Sequence, residues 1–157
     1  MKITAVLAMD EMCGIGKDGW LPWQIPEDMK HFRELTMGKV VVMGSRTYES
    51  LPVQFRPLPG RTNLVLSKYS IDGVQTFDSI SKLLEYCKQK WFEEVFIIGG
   101  AIIYNTFFQD QLIDQVELTL VSGDYHSDTF ITDFRSNYSL VSSQEYSTFS
   151  FLTYVRK

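Results

Sequence analysis

Val40-Val41-Val42-Met43-Gly44-Ser45-Arg46-Thr47 sets four apolar residues before a glycine, then two hydroxyls around a cation. An unbroken apolar run of this length suits a strand buried on both faces, as in a parallel sheet. The glycine and hydroxyls behind it mark a strand turning into a helix. Phe96-Ile97-Ile98-Gly99-Gly100-Ala101 repeats the arrangement with bare backbone. Further buried strands are predicted at Ile3–Met9, Thr62–Leu66, Glu94–Ile98 and Val116–Val121. Between them lie helical signals. Ile80, Leu83, Leu84 and Cys87 form one stripe at i, i+3, i+4 and i+7, behind a start at Asp78 or Ser79. Pro26-Glu27-Asp28-Met29 opens another helix with proline and acids in its first turn, and Gly38 follows its end. Short helices start after Gly44 and Gly100, and Tyr138–Val155 reads as a hairpin. Strands alternating with helices give an α/β fold: a mostly parallel central sheet with an antiparallel C-terminal edge, flanked by helices. Ligands in such sheets bind beyond the carboxyl ends of the strands.

At 157 residues, with no repeat, linker or low-complexity tract, the chain is expected to form a single domain over residues 1–157. Its apolar content of 45% and charged content of 22% are those of a globular protein. A net charge of −4 argues against a nucleic-acid or membrane partner. Cys13 and Cys87 lack metal or redox spacing and are expected as reduced thiols in a cytoplasmic protein. The apolar run at the N-terminus is broken by Asp10, too short for a membrane span and without a signal-peptide cleavage site. It reads as a buried first strand.

Gly14-Ile15-Gly16-Lys17-Asp18-Gly19 matches the letters of a dinucleotide fingerprint. That fingerprint needs a helix to begin inside it, and Pro22 and Pro26 forbid one. A mobile glycine loop able to close over a ligand fits better. The two strand-to-helix corners at Gly44 and Gly99-Gly100 suit phosphates, because helix N-termini offer free N–H groups and a positive dipole end. Either alone is ordinary punctuation; two in one small chain favour a diphosphate cofactor. Asp28, Phe32 and Leu35 lie at i, i+4 and i+7, which puts a carboxylate on an apolar face. Its bland role is a first-turn acid on the helix dipole, which Glu27 already supplies. His31 and His126 have no triad or metal partners in the sequence.

Set out in order, these segments resemble the dihydrofolate reductase family along nearly the whole chain. The resemblance is carried by Gly14–Gly19, by Leu21-Pro22-Trp23-Gln24-Ile25-Pro26-Glu27-Asp28 with Phe32, and by Val42-Met43-Gly44 with Thr47-Tyr48-Glu49-Ser50-Leu51-Pro52. It continues through Phe55-Arg56-Pro57-Leu58-Pro59-Gly60-Arg61, Ile98-Gly99-Gly100-Ala101 with Tyr104, Leu118-Thr119, Asp128-Thr129 and Phe151-Leu152-Thr153-Tyr154. It implies reduction of dihydrofolate to tetrahydrofolate with NADPH, in a monomeric cytoplasmic enzyme of one-carbon metabolism that antifolates would inhibit.

The same resemblance implies where each ligand lies. Asp28, with Trp23, Leu21 and Thr119, would form the catalytic group, Thr119 bonding Asp28 and Trp23 holding a water beside it. Val6, Leu7, Ile98 and Tyr104 would surround the pterin, with Phe32, Leu51 and Leu58 on the aminobenzoyl ring and Arg61 on the glutamate carboxylate. The nicotinamide would lie near Ala8, Ile15, Gly16 and Leu21. The phosphates would rest on Gly44, Ser45, Arg46 and Thr47, and on Gly99, Gly100, Ala101, Ile102 and Ile103. The adenosine end would sit by Leu66, Ser67 and Lys68. The family usually joins the two glycines matching Gly99 and Gly100 by a cis peptide.

Three departures stand out. Ser45 replaces a basic residue common in relatives, shifting the 2′-phosphate grip toward Arg46 and Lys68. Trp20 is bulky for the glycine loop, and Ile131-Thr132 replaces the usual Phe-Pro. Two other readings compete: a pteridine or pyrimidine reductase such as the riboflavin-biosynthesis reductase domain, and a silent nucleotide-binding module. The Arg56–Arg61 element and the aromatic-lined acid argue against the first. Burial should raise the pKa of Asp28 while a Thr119 hydrogen bond opposes it.

Overall fold

The computed structural model describes residues 1–17 and 21–157. The chain begins with β1 (Lys2–Asp10) and the short β2 (Gly14–Gly16), followed by α1 (Pro26–Thr36), β3 (Val40–Gly44) and α2 (Ser45–Ser50). After β4 (Thr62–Leu66) and β5 (Gln75–Phe77) come α3 (Ile80–Gln89), β6 (Glu94–Ile97) and α4 (Ala101–Gln109). The chain ends with β7 (Gln115–Val121), β8 (Thr129–Phe130) and the hairpin of β9 (Tyr138–Glu145) with β10 (Phe149–Arg156).

Among the described residues one eight-stranded sheet runs β5-β4-β3-β6-β1-β7-β10-β9, and β2 pairs separately with β8. The pairings of β1 with β6 and β7, and of β3 with β4 and β6, are parallel. Within the described part of the eight-stranded sheet, only the β7-β10-β9 edge is antiparallel. The predicted α/β class and its antiparallel edge are both found. The connections explain where the helices lie. From β1 the chain steps outward through β3 to β5, then back to β6 and across β1 to β7. Crossovers of one hand place helices on one face for outward steps and on the other for returning ones. Accordingly Phe32 and Leu35 of α1 and Tyr48 of α2 pack with Val6, Val41, Met43 and Phe96 on one face. Leu83 and Cys87 of α3 and Tyr104 and Phe107 of α4 pack with Ala5, Leu7, Val42 and Ile97 on the other.

The predicted helix starts at Pro26, after Gly44, after Ser79 and after Gly100 are all found. Ser79 Oγ accepts from Lys82 N at 3.1 Å, capping α3, and Pro26 stands at the head of α1. One reading is corrected and one strand is added. Gly14–Gly16 is not an open loop but a strand held antiparallel to Thr129–Phe130. Gln75–Phe77, too short to show a period, is the edge strand beside β4. Trp20 lies outside the described residues. Ile131 is buried in the main core and Thr132 N donates to Asn105 Oδ1 at 2.9 Å, so both residues of this departure from relatives are held in place.

Phe107 is fully buried between α4 and the sheet. Phe107→Ala should cost about 3–5 kcal/mol through lost burial and the cavity left behind. Urea unfolding of the two proteins measures this; a cost under about 1 kcal/mol would mean that the core closes around the gap.

Candidate active site

Asp28 sits in the first turn of α1 and reaches the carboxyl end of the sheet. Its carboxylate accepts from Thr119 Oγ1 at 2.6 Å. Thr119 lies on β7 opposite Ala8 of β1 and Phe151 of β10, so a buried strand fixes the donor. Burial pushes the Asp28 carboxyl above its usual range, the Thr119 hydrogen bond opposes this, and nearby His31 opposes it further. Burial wins, because removing water from a carboxylate costs more than one donor returns. A cavity of about 380 Å³ opens at this point, lined by Leu21, Trp23, Ile25, Asp28, Met29 and Ser50. Trp23 Nε1 is buried beside it without a hydrogen-bond partner among the described residues. A buried donor so placed suits a bound water or a ligand acceptor.

Below the acid, Val6, Phe32, Leu51, Leu58 and Ile98 belong to one apolar cluster. Tyr104 comes through from the opposite face to donate from its hydroxyl to Val6 O at 2.6 Å. Arg61 closes this wall, its Nε donating to Pro59 O at 2.9 Å and its Nη1 to Thr36 Oγ1 at 3.2 Å. No carboxylate pairs with it among the described residues. Desolvation and neighbouring Arg33 lower its pKa, so two cations stand close together there. Arg56 is employed differently. It lies 5.8 Å from the Tyr48 ring centroid and donates to Leu51 O at 2.8 Å, which holds the segment after α2. Asn63 fixes the intervening loop by accepting from Leu58 N and donating to Leu58 O and Arg61 O.

Two strand-to-helix corners lie side by side because β3 and β6 are neighbours. Gly44 N donates to Gly99 O at 2.9 Å, and the Gly99–Gly100 peptide is cis. Neither α2 nor α4 has a side-chain cap or an acid in its first turn. A Cβ on Gly44 would meet Ile103 Cγ1 at 3.1 Å, and one on Gly100 would meet Thr47 Oγ1 at 3.4 Å. Glycine at position 44 lets the two corners approach closely, since a side chain there would press on Ile103. One strand further out, Gly44 stands opposite Leu66 in the β3–β4 register. Arg46 and Lys68 flank that edge, both exposed and neither in an ion pair among the described residues. A diphosphate dinucleotide with an extra phosphate at its adenosine end fits this set of donors.

A family model described as dihydrofolate reductase matches residues 2–156. The chain belongs to the dihydrofolate reductase family. It is similar to the dihydrofolate reductase of Bacillus subtilis, 35% identical over 147 residues that cover 91% of this chain and 83% of that protein. The dihydrofolate reductase of Neisseria meningitidis is 42% identical over 130 residues, covering 79% and 77%. A bifunctional dihydrofolate reductase-thymidylate synthase of Daucus carota is 39% identical over 145 residues, or 80% of this chain. The chain spans only 27% of the Daucus protein.

Family membership makes the placement of each expected residue informative. Asp28, Trp23, Leu21 and Thr119 converge, as do Val6, Phe32, Leu51, Leu58 and Ile98. Leu7 does not join them: alternation along β1 turns its side chain into the core on the opposite face of the sheet. Ala8 packs against the Trp23 cluster. Ile15, Leu66 and Ile103 pack against the core on the α4 side of the sheet, while Ile102 is largely exposed. His31 has a ring partner that the sequence did not indicate. It stacks on Phe151 with centroids 3.9 Å apart, one turn from Asp28. Its spacing of three from the acid was the available signal. Tyr125, which meets Trp23 edge to face at 5.3 Å, gave no signal, since it lies in a loop a hundred residues away.

Proposed function

We propose that this chain reduces dihydrofolate to tetrahydrofolate with NADPH, acting as a single-domain, monomeric, cytoplasmic enzyme that antifolates block. The observation that carries the reading is the carboxylate of Asp28, set against an apolar wall and held by Thr119 at 2.6 Å. An ionised carboxylate at this place accepts two charge-assisted hydrogen bonds from the amidine-like edge of a pterin. The same group, with its pKa raised, keeps a proton available nearer neutral pH than an ordinary aspartate does. Proton delivery to N5 then runs through water held by the orphan Trp23 N–H, because the acid faces the far edge of the ring. NADPH, when bound, supplies the hydride for C6. Gly44–Thr47 and Gly99–Ile103 hold its diphosphate, and Arg46 and Lys68 its 2′-phosphate. Phe32, Leu51 and Leu58 grip the aminobenzoyl ring and exclude water from the reacting bond.

Arg61 is assigned to the glutamate carboxylate. Arg61→Lys should weaken folate binding by about 1–3 kcal/mol, the scale of a lost charge-assisted bond, because lysine cannot form the planar fork. A pterin analogue without the glutamate should bind both proteins equally. Equal weakening of the truncated analogue would assign Arg61 to loop support instead.

Substrate exchange separates this reading from a riboflavin-type reductase. Dihydrofolate should be consumed with NADPH, whereas an aminopyrimidine ribosyl phosphate should not; the reverse preference would overturn the assignment.

A further inference from the structure

Asp10 ends β1 and is fully buried, yet it faces no cation among the described residues. Its carboxylate is satisfied by backbone donors from two separate segments. Oδ1 accepts from Met12 N and Gly14 N, both at 2.9 Å. Oδ2 accepts from Tyr125 N at 3.1 Å, with Ser127 Oγ at the outer limit of 3.5 Å. Around this point the two segments touch throughout. Glu11 N donates to Gly123 O and Asp128 N to Gly16 O. A Cβ on Gly14 would stand 2.4 Å from Ser127 Oγ and 3.0 Å from Asp10 Oδ1. Each segment then leads to the cleft. Gly14 begins the strand that carries Ile15 and Gly16, and the Tyr125 ring meets Trp23, which lines the cavity with Asp28.

We infer that Asp10 is a positioning residue for the reaction: its carboxylate clamps Met12–Gly14 to Tyr125–Ser127 and, through Tyr125, fixes Trp23 beside Asp28. The inference rests on the reductase reading and deepens it. A buried acid that served stability alone could be satisfied within its own turn, as Met12 and Gly14 already do for one oxygen. The second oxygen is spent on a segment more than a hundred residues away, and that segment supports Trp23, which lines the same cavity as Asp28.

The test uses Asp10→Asn, Tyr125→Leu and Tyr125→Phe in the full chain. Asparagine keeps the shape but turns one acceptor into a donor facing N–H groups. In the free protein, hydrogen exchange at Met12, Gly14 and Tyr125 should lose protection together in Asp10→Asn. Single-turnover reduction of dihydrofolate should slow about tenfold or more, since a misplaced supporting group costs rate, while dihydrofolate affinity changes little. Tyr125→Leu should reproduce the rate loss with the carboxylate intact, and Tyr125→Phe, which keeps the ring, should match the unsubstituted protein. A less stable Asp10→Asn with normal single-turnover rate would overturn the inference, as would a normal rate in Tyr125→Leu. If Asp10→Asn does not fold, Tyr125→Leu decides. The exchange measurement needs no substrate. A chain inactive toward dihydrofolate would remove the functional reading, while paired loss of protection would still uphold the clamp and loss in one segment alone would overturn it.

Discussion

Asp28→Asn should lower dihydrofolate reduction near neutral pH by at least about a hundredfold, the scale of a lost acid–base group, while leaving the fold and NADPH binding in place. The amide preserves shape and the Thr119 contact but carries no negative charge for the pterin edge. Stability should move the opposite way. Burial raises the folded-state pKa of Asp28 above its usual value. The folded protein therefore holds this proton more tightly than the unfolded chain does. That favours folding at low pH and is lost as pH rises through the raised value. At neutral pH the charged, buried Asp28 is thus a cost, and Asn removes it. The variant should be no less stable than the parent at pH 7, and its relative advantage should shrink in acid. Its residual activity should recover partly at low pH, where solvent protonates the substrate beforehand. Near-normal turnover at neutral pH would contradict the assignment, and a large loss of stability there would contradict the sign.

Changing Arg46 and Lys68 together to Gln should weaken NADPH binding by about ten- to a hundredfold and leave NADH binding almost unchanged. The two cofactors differ by a 2′-phosphate, so the preference must come from groups at the adenosine end. The β3–β4 register brings the ends carrying these two cations together, and neither is neutralised by an acid among the described residues. Separate surface cations contribute little; a pair converging on a dianion contributes more, and salt screens it. Because Ser45 offers only a hydroxyl, Arg46 should account for most of the difference. Dissociation constants for both cofactors at two salt concentrations test this. NADPH affinity in the double variant should lose much of its salt dependence. An undiminished preference for NADPH would show that the phosphate is held elsewhere.

The parts of this fold legible in the sequence are those dictated by local chemistry. The apolar run Val40–Met43 and the glycine after it announced a buried strand and a helix start, and both are found. The Ile80–Cys87 stripe located α3 with its Ser79 cap. Asp28 could be singled out because a carboxylate sharing a helix face with Phe32 is locally inconsistent. What stayed hidden depends on partners distant in the chain. Gly14–Gly16 read as a loop because its strand character comes from Thr129–Phe130. Leu7 was grouped with Val6 because family position does not state which way alternate side chains face. The roles of Asn63, Tyr125 and Asp10 appear only when their hydrogen bonds and ring contacts close in three dimensions. Asp10 alone left a trace, as an acid ending an apolar strand.

The most direct test of the central claim is the rate at which the purified chain oxidises NADPH with and without dihydrofolate. Oxidation should be negligible with NADPH alone and rapid and stoichiometric once dihydrofolate is added, with tetrahydrofolate as product. NADPH binding without any dihydrofolate-dependent oxidation would contradict it and leave a nucleotide-binding module in its place.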